Sequence, residues 1–486
     1  MTTLDSIFSH ARARPDAVAA VKGARAISYR ELAARITLAR RFLRSQAVGR
    51  ERIAALCVQD ILEGWIIRLA LRGLGVTSVS VRSAEEIGGL GPVSVVSTPN
   101  DSLAWPGLAA TNLPLIWVPS EAYLGWEMAE IEPALAAGVT SPGRHMLLTS
   151  GTTGLYKKVL YDDGAEARLI AENIGPAGIT PDTVFDVFDF GGWTGANYTW
   201  PTLAWAMGGR ILIDQSPDPW RSLAYPGLTH AVVTPHLLVS LMARPVDAAF
   251  HNDGLRLFVI GGVLSQSLWR AARDRLTHDI YSVYGATESC HIAYTRIETV
   301  KDLNSHKIPA AGTLQVVDAQ DRPLPAGQAG VVRIRTAGVD RYLDDPDASQ
   351  TFFRGGYFYP GDLGVVSADG RLTLQGRVTD VINVLGNKIA SLPIETALQD
   401  RLGAEGVCVF SVPGETGEEV HVAIQPKGVI SAGDLKTALL AALPPGIPDV
   451  RVHSVTVFPR NAMGKIERTA LKDQLFGSAT SAPVAS

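Results

Sequence analysis

The apolar and polar positions in the first part of the chain alternate between strand and helix patterns. Residues 27–42 place apolar side chains at helical spacing, and Ser28 stands three residues before Glu31, as in a capping box. The alternation continues with a strand pattern at 52–57, a helix pattern at 61–74 and a strand pattern at 77–81. Strands that alternate with helices in this way predict a parallel sheet covered on both faces.

The middle of the chain repeats this alternation before the pattern changes. Strand patterns lie at 210–214, 230–234, 255–260 and 279–284, and the second is followed by a helix pattern up to Met242. After about Lys307, short strands separated by Gly and Pro turns predict an antiparallel β unit. The last part combines helix patterns at 393–402 and 431–443 with strand patterns at 406–412, 419–425 and 451–458.

These patterns predict an α/β protein. We expect a large N-terminal domain of stacked α/β sheets with an antiparallel β subdomain, followed by a small α+β C-terminal domain. A chain of 486 residues is longer than the roughly 250 to 300 residues at which one hydrophobic core stops growing. We place the two domains at residues 1–376 and 377–475, and expect residues 476–486, which are mostly small and polar, to form a disordered tail.

Composition and charge argue against several classes of protein. Hydrophobic residues make up 46% and charged residues 19% of the chain, as in a compact soluble protein. A formal net charge of -4 offers no attraction for a phosphate backbone, so we expect no nucleic-acid partner. The beginning lacks an apolar signal core and no apolar run approaches a membrane span, which predicts a cytoplasmic protein. The three cysteines lie far apart, which argues against a disulfide framework or a zinc site built on them.

The stretch MLLTSGTTGLYKKVL, residues 146–160, carries the first candidate chemistry. An apolar strand runs into a loop of hydroxyl residues and glycines followed by lysines, namely Thr149, Ser150, Gly151, Thr152, Thr153, Gly154, Lys157 and Lys158. Hydroxyls, unencumbered backbone N–H groups and positive charge suit a polyphosphate. The lysines do not have the P-loop spacing, so the segment alone is as compatible with a surface turn as with a phosphate site.

Further segments occur in the order found in one known superfamily. They are DVFDFGGWTGANYTWPTLAWAMGG at 186–209, YGATE at 284–288, YPGD at 359–362, GRVTDVINVLGNKI at 376–389 and PRNAMGKIER at 459–468. Together with the loop at 149–157 they resemble the adenylate-forming superfamily, which includes acyl-CoA synthetases, adenylation domains of peptide synthetases and luciferases. The resemblance extends from about Ser28 to Leu471. It implies that residues 1–376 are an AMP-binding domain and residues 377–475 a mobile lid.

The resemblance implies roles for the first two nucleotide motifs. The loop at 149–157 would hold the β and γ phosphates of ATP, although Tyr156, Lys157 and Lys158 replace the usual Pro-Lys-Gly ending. Lys157 keeps the charge, but loss of the proline and glycine is expected to stiffen and crowd the loop. In YGATE, the resemblance implies that Tyr284 stacks on adenine and that Gly285 lies beside it. Thr287 would contact the α phosphate, and Glu288 would be the Mg²⁺ ligand.

The later motifs imply a ribose contact, a hinge and a catalytic lysine. Asp362 would accept hydrogen bonds from both ribose hydroxyls, a task that suits an acceptor-only carboxylate, with Arg377 nearby. Thr379 takes the hinge position where family members usually carry Asp or Lys. Lys465 would enter the active site during adenylation, and rotation of the lid would then remove it and admit the thiol.

The acid is expected to bind between two segments. The candidate pocket residues are Asp189, Trp193, Thr194, Gly261 and Gly262. The first segment resembles acetyl- and short-chain acyl-CoA synthetases, and crowding by Trp193, Tyr198 and Trp200 favours a small or flat acid, although such aromatic residues more often pack a core. Phe188 and Asp189 also resemble the Phe-Asp of amino-acid adenylation domains, where the aspartate pairs with the substrate's ammonium group.

The resemblance therefore implies an ATP-dependent ligase that forms an acyl-AMP from a small or aromatic carboxylic acid. Coenzyme A is the expected thiol co-substrate, with ATP and Mg²⁺ as cofactors. The alternative is a stand-alone adenylation enzyme that loads an amino or aryl acid onto a separate carrier protein. A nucleotide-binding protein without turnover and a luciferase-like oxygenase remain further alternatives, because one fold hosts many functions.

Overall fold

The structure, a computed structural model, describes most of the chain. The described residues are 1–48, 53–92, 94–101, 105, 107–150, 156–188, 190–214, 218–243, 251–310, 312–336, 338–384, 387–414, 417–444, 447, 450–461 and 464–477. The chain divides into two compact units. Unit 1 comprises Met1–Val232, Gly285–His291 and Thr336–Phe358, and unit 2 comprises Val233–Tyr284, Ile292–Arg335 and Tyr359–Ser486.

The structure has helices at each of the five places where the sequence predicts one, and it has further helices elsewhere. They are α1 Thr3–Ala13, α2 Tyr29–Ser45, α3 Ile61–Gly73, α4 Asp163–Ala177, α5 Gly195–Met207, α6 Pro219–Leu223, α7 Pro235–Ala243, α8 Gln266–Arg275, α9 Pro346–Phe352, α10 Ser391–Leu402, α11 Ala432–Ala442 and α12 Arg468–Phe476. The Ser28 side chain accepts a hydrogen bond from the Glu31 backbone N–H at the start of α2, as the capping pattern predicts. Within the described residues, no helix has both the length and the apolar character of a membrane span.

The strands are short and distributed over both units. In unit 1 and at its boundaries they are β1 Val18–Lys22, β2 Arg25–Ser28, β3 Ile53–Cys57, β4 Thr77–Ser80, β5 Ser94–Ser97, β6 Leu115–Trp117, β7 His145–Ser150, β8 Tyr156–Tyr161, β9 Val184–Asp186, β10 Arg210–Ile213 and β11 His230–Val233. Next come β12 Arg256–Val259, β13 Asp279–Ala286, β14 Cys290–Arg296, β15 His306–Lys307, β16 Leu314–Val317, β17 Ala329–Arg335, β18 Phe353–Arg354 and β19 Tyr357–Phe358. The last are β20 Asp362–Val366, β21 Arg371–Arg377, β22 Val381–Val384, β23 Asn387–Ala390, β24 Gly406–Gly414, β25 Gly417–Gln425 and β26 Val450–Ser454.

Unit 1 contains two sets of mainly parallel strands. One sheet has the order β6-β5-β3-β4-β7-β8, in which the last pair alone is antiparallel. In the second set β1, β10, β9 and β11 run parallel, and β2 pairs antiparallel with β1. The predicted parallel sheets with helical connections are therefore confirmed, and the carboxyl end of β7 pairs antiparallel with the beginning of β8.

A buried polar cluster packs the helices of unit 1 together. Glu166 of α4 is 1% exposed, and its carboxylate accepts hydrogen bonds from Arg72 Nη1 at 3.0 Å and from the Tyr198 hydroxyl. Arg72 lies on α3 and Tyr198 on α5, so this carboxylate connects both helices to α4. A buried carboxylate is stable only when it is paired and hydrogen-bonded in this way. The cluster holds α5, whose first residues belong to the predicted acid pocket.

Unit 2 contains the antiparallel β unit and the α+β segment expected from the sequence. Strands β15, β21, β20, β17 and β16 pair in that order and are antiparallel. Strands β24 and β25 pair antiparallel and β26 joins β25 in parallel, with Leu398 of α10 buried against them. The strand predicted at 451–458 is shorter in the structure and ends at Ser454, and the following Val455 and Phe458 are buried in a cluster with Leu471 of α12. The domain boundary at residue 376 and the mobility of the lid stay predictions.

Candidate functional site

The hairpin of β7 and β8 carries the two ends of the predicted phosphate loop. Thr149 pairs with Lys157 and Ser150 with Tyr156 in its register. Gly151, Thr152, Thr153 and Gly154 lie outside the described residues, as does residue 155. The register places the Thr149 backbone and the Lys157 backbone directly opposite each other, so both ends of the loop start from one rigid pair of strands.

The lysines of the hairpin have different surroundings. Lys157 Nζ lies 3.2 Å from the ring centre of Phe352 and 5.2 Å from that of Tyr342, a distance range in which a cation is attracted to an aromatic face. Lys158 Nζ lies 3.3 Å from Asp344 Oδ2. The replacement of the family's usual glycine by Lys158 therefore gives an ion pair with Asp344, while Lys157 lies over aromatic rings.

Glu288 lies in unit 1 and has two hydroxyl partners from other parts of the chain. Its Oε1 accepts a hydrogen bond from the Tyr342 hydroxyl at 2.7 Å and from Thr149 Oγ1 at 3.3 Å. The residue is only 8% exposed. Tyr342 thus contacts both the predicted metal ligand and, through its ring, Lys157. The carboxylate and the two hydroxyls offer oxygen atoms for metal coordination, and Mg²⁺ prefers oxygen ligands.

The backbone around Glu288 is held by two close contacts. A Cβ on Gly285 would overlap the Cys290 carbonyl oxygen and lie 2.8 Å from His291 Cα, so a larger residue does not fit at this position. The Tyr161 hydroxyl donates a hydrogen bond to the Thr287 carbonyl oxygen at 2.6 Å. Burial raises the pKa of the Cys290 thiol to about 12, in keeping with a packing role for this cysteine. The turn that presents Thr287 and Glu288 is therefore rigid.

The predicted acid-binding segment is only partly within the described residues. Asp189 lies outside them. The indole ring of Trp193 lies over Gly191, where a Cβ would overlap it. A Cβ on Gly195 would lie 3.3 Å from Thr287 Oγ1, so the Thr287 hydroxyl is close to the first residue of α5. Trp193, Thr194 and Thr287 are therefore grouped in unit 1 near the amino end of this helix.

The other two aromatic residues of this segment pack the interior of unit 1. Tyr198 is 1% exposed and stacks on Trp65 with ring centres 5.8 Å apart. Trp200 is fully buried and stacks on His291 at 4.5 Å. Crowding of the acid by these two side chains was an expectation from the sequence. Their contacts instead are those of core residues, because nearly every residue of α5 is buried.

Thr194 has a structural role that predicts a stability effect. It is the N-cap of α5, and its Oγ1 accepts a hydrogen bond from the Asn197 backbone N–H at 3.1 Å. We expect Thr194→Ala to lower the free energy of unfolding by about 1 kcal/mol, the usual cost of losing such a cap. Thr194→Ser, which keeps the hydroxyl, is expected to retain most of the stability. Urea unfolding followed by circular dichroism measures both, and equal losses in the two variants would contradict the capping role.

Unit 2 brings together the residues predicted to bind the nucleoside. The Tyr284 hydroxyl donates a hydrogen bond to Asp362 Oδ2 at 2.7 Å, and Arg377 Nε lies 3.0 Å from Asp362 Oδ1. Asp362 and Arg377 are directly paired across β20 and β21. Burial, and then the negative charge of Asp362, raise the pKa of Tyr284 well above its ordinary value, so the phenol stays a donor at neutral pH.

Lys465 lies beside the glycines of the predicted acid pocket in unit 2. Its Cε is 3.9 Å from the position that a Cβ at Gly261 would take. Gly261 has a φ of 79°, in the left-handed region that favours glycine. The Lys465 backbone N–H donates to Asn461 Oδ1 at 3.1 Å, and the Asn461 N–H donates to the Lys465 carbonyl oxygen at 3.0 Å. Gly262 follows Gly261, and a Cβ there would lie 3.3 Å from Pro235.

The predicted hinge residue lies on a short helical turn in unit 2. Thr379 belongs to the turn Val378–Asp380, and its hydroxyl donates to Asp380 Oδ1 at 3.2 Å. Asp380 in turn lies 3.6 Å from Arg468 Nε. Residues 385 and 386, which include the glycine of the same motif, lie outside the described residues. The hinge role stays a prediction.

The structure adds three residues that the sequence motifs did not point to. They are Tyr342 and Phe352, which surround the Lys157 ammonium, and Tyr161, which holds the Thr287 carbonyl. Tyr342 is separated from Glu288 by 54 positions along the chain. Its local sequence, RYLDDP, carries no pattern that would connect it to a metal ligand. Only the fold brings these residues together.

Several known proteins are similar to this chain in sequence. The fatty acid–acyl-carrier-protein ligase ScoC of Streptomyces coeruleorubidus is 29% identical over 383 residues, covering 74% of this chain and 72% of that protein. The salicylyl-CoA synthase/salicylate adenylyltransferase of a Streptomyces species is 29% identical, covering 69% of this chain and 63% of that protein. This chain therefore spans slightly less than two thirds of the second relative.

The whole fold is also that of a solved structure. ATP-bound MatB from Rhodopseudomonas palustris matches with a TM-score of 0.83 at 19% identity, covering 99% of this chain and 100% of that chain. The family model described as AMP-binding enzyme matches residues 144–342, a range that includes the β7–β8 hairpin and the YGATE turn. Residues 144–342 therefore match the AMP-binding enzyme family, and the chain shares the fold of ATP-bound MatB.

Proposed function

We propose that this protein is an ATP-dependent carboxylic acid–thiol ligase, which forms an acyl-AMP and passes the acyl group to coenzyme A. The observation that carries the proposal is the position of Glu288. Its carboxylate accepts hydrogen bonds from Tyr342 and from Thr149, and Thr149 lies where the Ser/Thr/Gly loop begins. This arrangement joins a cation-binding carboxylate to a phosphate-binding loop, as a magnesium nucleotide requires.

The adenosine part of ATP is assigned to the group in unit 2. Asp362 has an acceptor-only carboxylate, and Tyr284 and Arg377 already orient both of its oxygens. A carboxylate held from two sides is preorganised to accept hydrogen bonds from ribose hydroxyls. We assign Tyr284 to adenine and Thr287 to the α phosphate. The Thr287 hydroxyl lies near the amino end of α5, where the helix dipole favours negative charge.

Magnesium fits the donor set around Glu288. One carboxylate and the hydroxyls of Thr149 and Tyr342 offer oxygen atoms, and the ion typically completes its shell with water and substrate phosphates. Bound there, it would neutralise charge on the phosphates. The residues of this chain position the acid and the nucleotide and exclude water. These effects can supply a large part of the rate enhancement.

The proposed reaction needs no nucleophile from the protein. A carboxylate oxygen of the acid attacks the α phosphorus of ATP, the bond to the bridging oxygen breaks, and pyrophosphate leaves. The thiol sulfur then attacks the acyl carbon, AMP leaves, and the thiol proton passes to solvent. The Lys465 ammonium is assigned to the first step, where negative charge develops around the α phosphate and the acid carboxylate. The proximity of Lys465 to Gly261 supports this assignment.

A carrier protein is the second candidate for the acyl acceptor. It is favoured by the similarity to ScoC, whose name describes transfer of a fatty acid to an acyl carrier protein. The similarity to the salicylyl-CoA synthase favours coenzyme A and an aryl acid. We rank coenzyme A with a small or aromatic acid first, because the segment around Trp193 and Thr194 resembles that of short-chain acyl-CoA synthetases.

The deciding experiment measures pyrophosphate release with ATP and Mg²⁺ over a panel of short, branched, aromatic, fatty and amino acids. Each acid is tested with coenzyme A, with a phosphopantetheinylated carrier protein, and without an acceptor. Acid-dependent release together with an acyl-CoA product supports the proposal and identifies the acid. A loaded carrier protein without an acyl-CoA product would establish the second candidate, and release with none of the acids would contradict both.

Tyr342 tests the cluster that carries the proposal. Tyr342→Phe keeps the ring near Lys157 but removes the hydrogen bond to Glu288. A hydrogen bond to a charged group contributes about 1.5 to 3 kcal/mol, so we expect kcat/KM for Mg-ATP to fall about tenfold or more. The KM of the acid is expected to change little. An equal effect on both substrates would show that Tyr342 supports the fold in general and would contradict a specific role beside Glu288.

A further inference from the structure

A second group of potential ligands lies in unit 2, outside the residues assigned above. His251 and Asp253 precede β12, and His278 precedes β13. Asp253 Oδ1 lies 2.9 Å from His251 Nε2 and 2.9 Å from His278 Nδ1, and the two nitrogens are 3.1 Å apart. The rings are tilted by 60° with centres 4.6 Å apart. Three donor atoms therefore converge in a nearly equilateral triangle.

We propose that this triad, His251, Asp253 and His278, binds a divalent first-row transition ion, with zinc as the first candidate. Two imidazole nitrogens and one carboxylate oxygen form a common donor set for such ions. Zinc bonds to these donors are about 2.0 to 2.2 Å long, and donors about 3 Å apart then subtend angles of about 90° at the ion. The triangle thus forms one face of a coordination shell, which water completes.

The N–H groups and lone pairs of the triad are poorly matched to one another when no cation is present. Each neutral imidazole carries one N–H donor and one acceptor nitrogen. If both facing nitrogens donate to Asp253 Oδ1, two N–H groups are forced within 3.1 Å of each other. If one of them is the acceptor, its lone pair faces the carboxylate oxygen. A cation that caps the triangle, above the plane of the three donor atoms, interacts favourably with all three lone pairs at once.

The backbone holds the three ligands in place before any ion binds. The Asn252 N–H donates to the Leu276 carbonyl oxygen at 2.8 Å, and the Thr277 hydroxyl donates to the Leu255 carbonyl oxygen at 2.6 Å. These bonds connect the loop of His251 and Asp253 to the loop of His278. The ligands are therefore preorganised, which lowers the entropic cost of binding.

The proposed ion would fasten the amino ends of two paired strands. Strands β12 and β13 are parallel, with Arg256 opposite Asp279. Gly261 follows the carboxyl end of β12, and Tyr284 lies in the carboxyl half of β13. The triad lies at the opposite ends of these strands, so its role is structural. Its side chains are 28%, 76% and 52% exposed in the order His251, Asp253 and His278, so solvent has access to the ion.

Zinc titration of the full-length chain tests the proposal. The protein is stripped with a chelator, dialysed and titrated with Zn²⁺ by calorimetry, and Co²⁺ is used in parallel as an optical probe of the coordination. We expect one equivalent to bind, and we expect His278→Gln and Asp253→Asn each to weaken binding about tenfold or more. His453→Gln is the matched control, because it removes an imidazole from a different histidine pair, His421 and His453, whose nitrogens lie 2.8 Å apart.

Three results would overturn the proposal. They are the absence of saturable zinc binding, an unchanged isotherm in His278→Gln, and loss of the bound equivalent in His453→Gln instead. Acid-dependent pyrophosphate release by His278→Gln is expected to equal that of the unmodified chain. The zinc isotherm does not depend on which reaction the protein catalyses, so failure of the ligase proposal and failure of the metal proposal are distinguishable.

Discussion

Replacing Lys465 with alanine is expected to lower acid-dependent pyrophosphate release by about 10²- to 10³-fold, the effect of removing one preorganised donor from a developing charge. Lys465 Cε lies 3.9 Å from the Cβ position of Gly261, and two hydrogen bonds between Asn461 and the Lys465 backbone hold its loop in shape. Truncation of the side chain leaves these backbone bonds intact. The loss should therefore fall on kcat, with little change in the KM of ATP.

A split assay separates a catalytic role from a general loss of function. If Lys465 acts in adenylation alone, thioester formation from a supplied acyl-adenylate should continue at a normal rate in Lys465→Ala. Lys436→Ala is the matched control, because Lys436 is an exposed lysine on α11 in the same unit. Equal loss of both half-reactions, or a loss of similar size in the control, would refute the role assigned to Lys465.

Elements with strong local patterns were predictable from the sequence. The helix predicted at 61–74 is α3, Ile61–Gly73, and its N-cap Asp60 accepts a hydrogen bond from the Glu63 N–H. The strand predicted at 279–284 is β13, which extends to Ala286. Periodicity and capping act over a few residues, so a local pattern contains most of the information that determines such elements. The fold class followed from the alternation of these elements.

The contacts of the site were not predictable in the same way. Glu288 meets Thr149, 139 positions earlier, and Tyr342, 54 positions later. These pairings depend on the order of strands and on the hairpin of β7 and β8, which motif spacing does not reveal. The Tyr284–Asp362 bond, over 78 positions, is a similar case. The motifs identified which residues to consider, while the sheet topology determined their partners.

The orientation of a helix that is buried on all sides is another feature that the sequence leaves open. Helix α5 contains Tyr198 and Trp200, which the sequence placed near the acid, but both are buried among core side chains. A helix that is apolar on all sides has no polar stripe to indicate its orientation. We therefore expect the substrate preference to depend on the residues around Trp193 and Thr194 more than on Tyr198 and Trp200.

Replacing Glu288 with glutamine is expected to lower kcat/KM for Mg-ATP by about 10²-fold, because it removes the charge that would hold the magnesium ion. The substitution is nearly isosteric. The amide oxygen can still accept hydrogen bonds from the Tyr342 hydroxyl and from Thr149, so the local packing should survive. The loss is therefore electrostatic and should appear as a changed dependence of the rate on Mg²⁺.

The measurement is the initial rate of pyrophosphate release at a fixed ATP concentration over a range of Mg²⁺ concentrations. In Glu288→Gln, half-maximal activity should require more Mg²⁺, while the KM of the acid should stay close to normal. Glu172→Gln removes an exposed carboxylate of α4 in the same unit and should behave like the unmodified chain. An unchanged Mg²⁺ dependence in Glu288→Gln would mean that another residue holds the ion. Glu288 would then serve only to bind Thr149 and Tyr342.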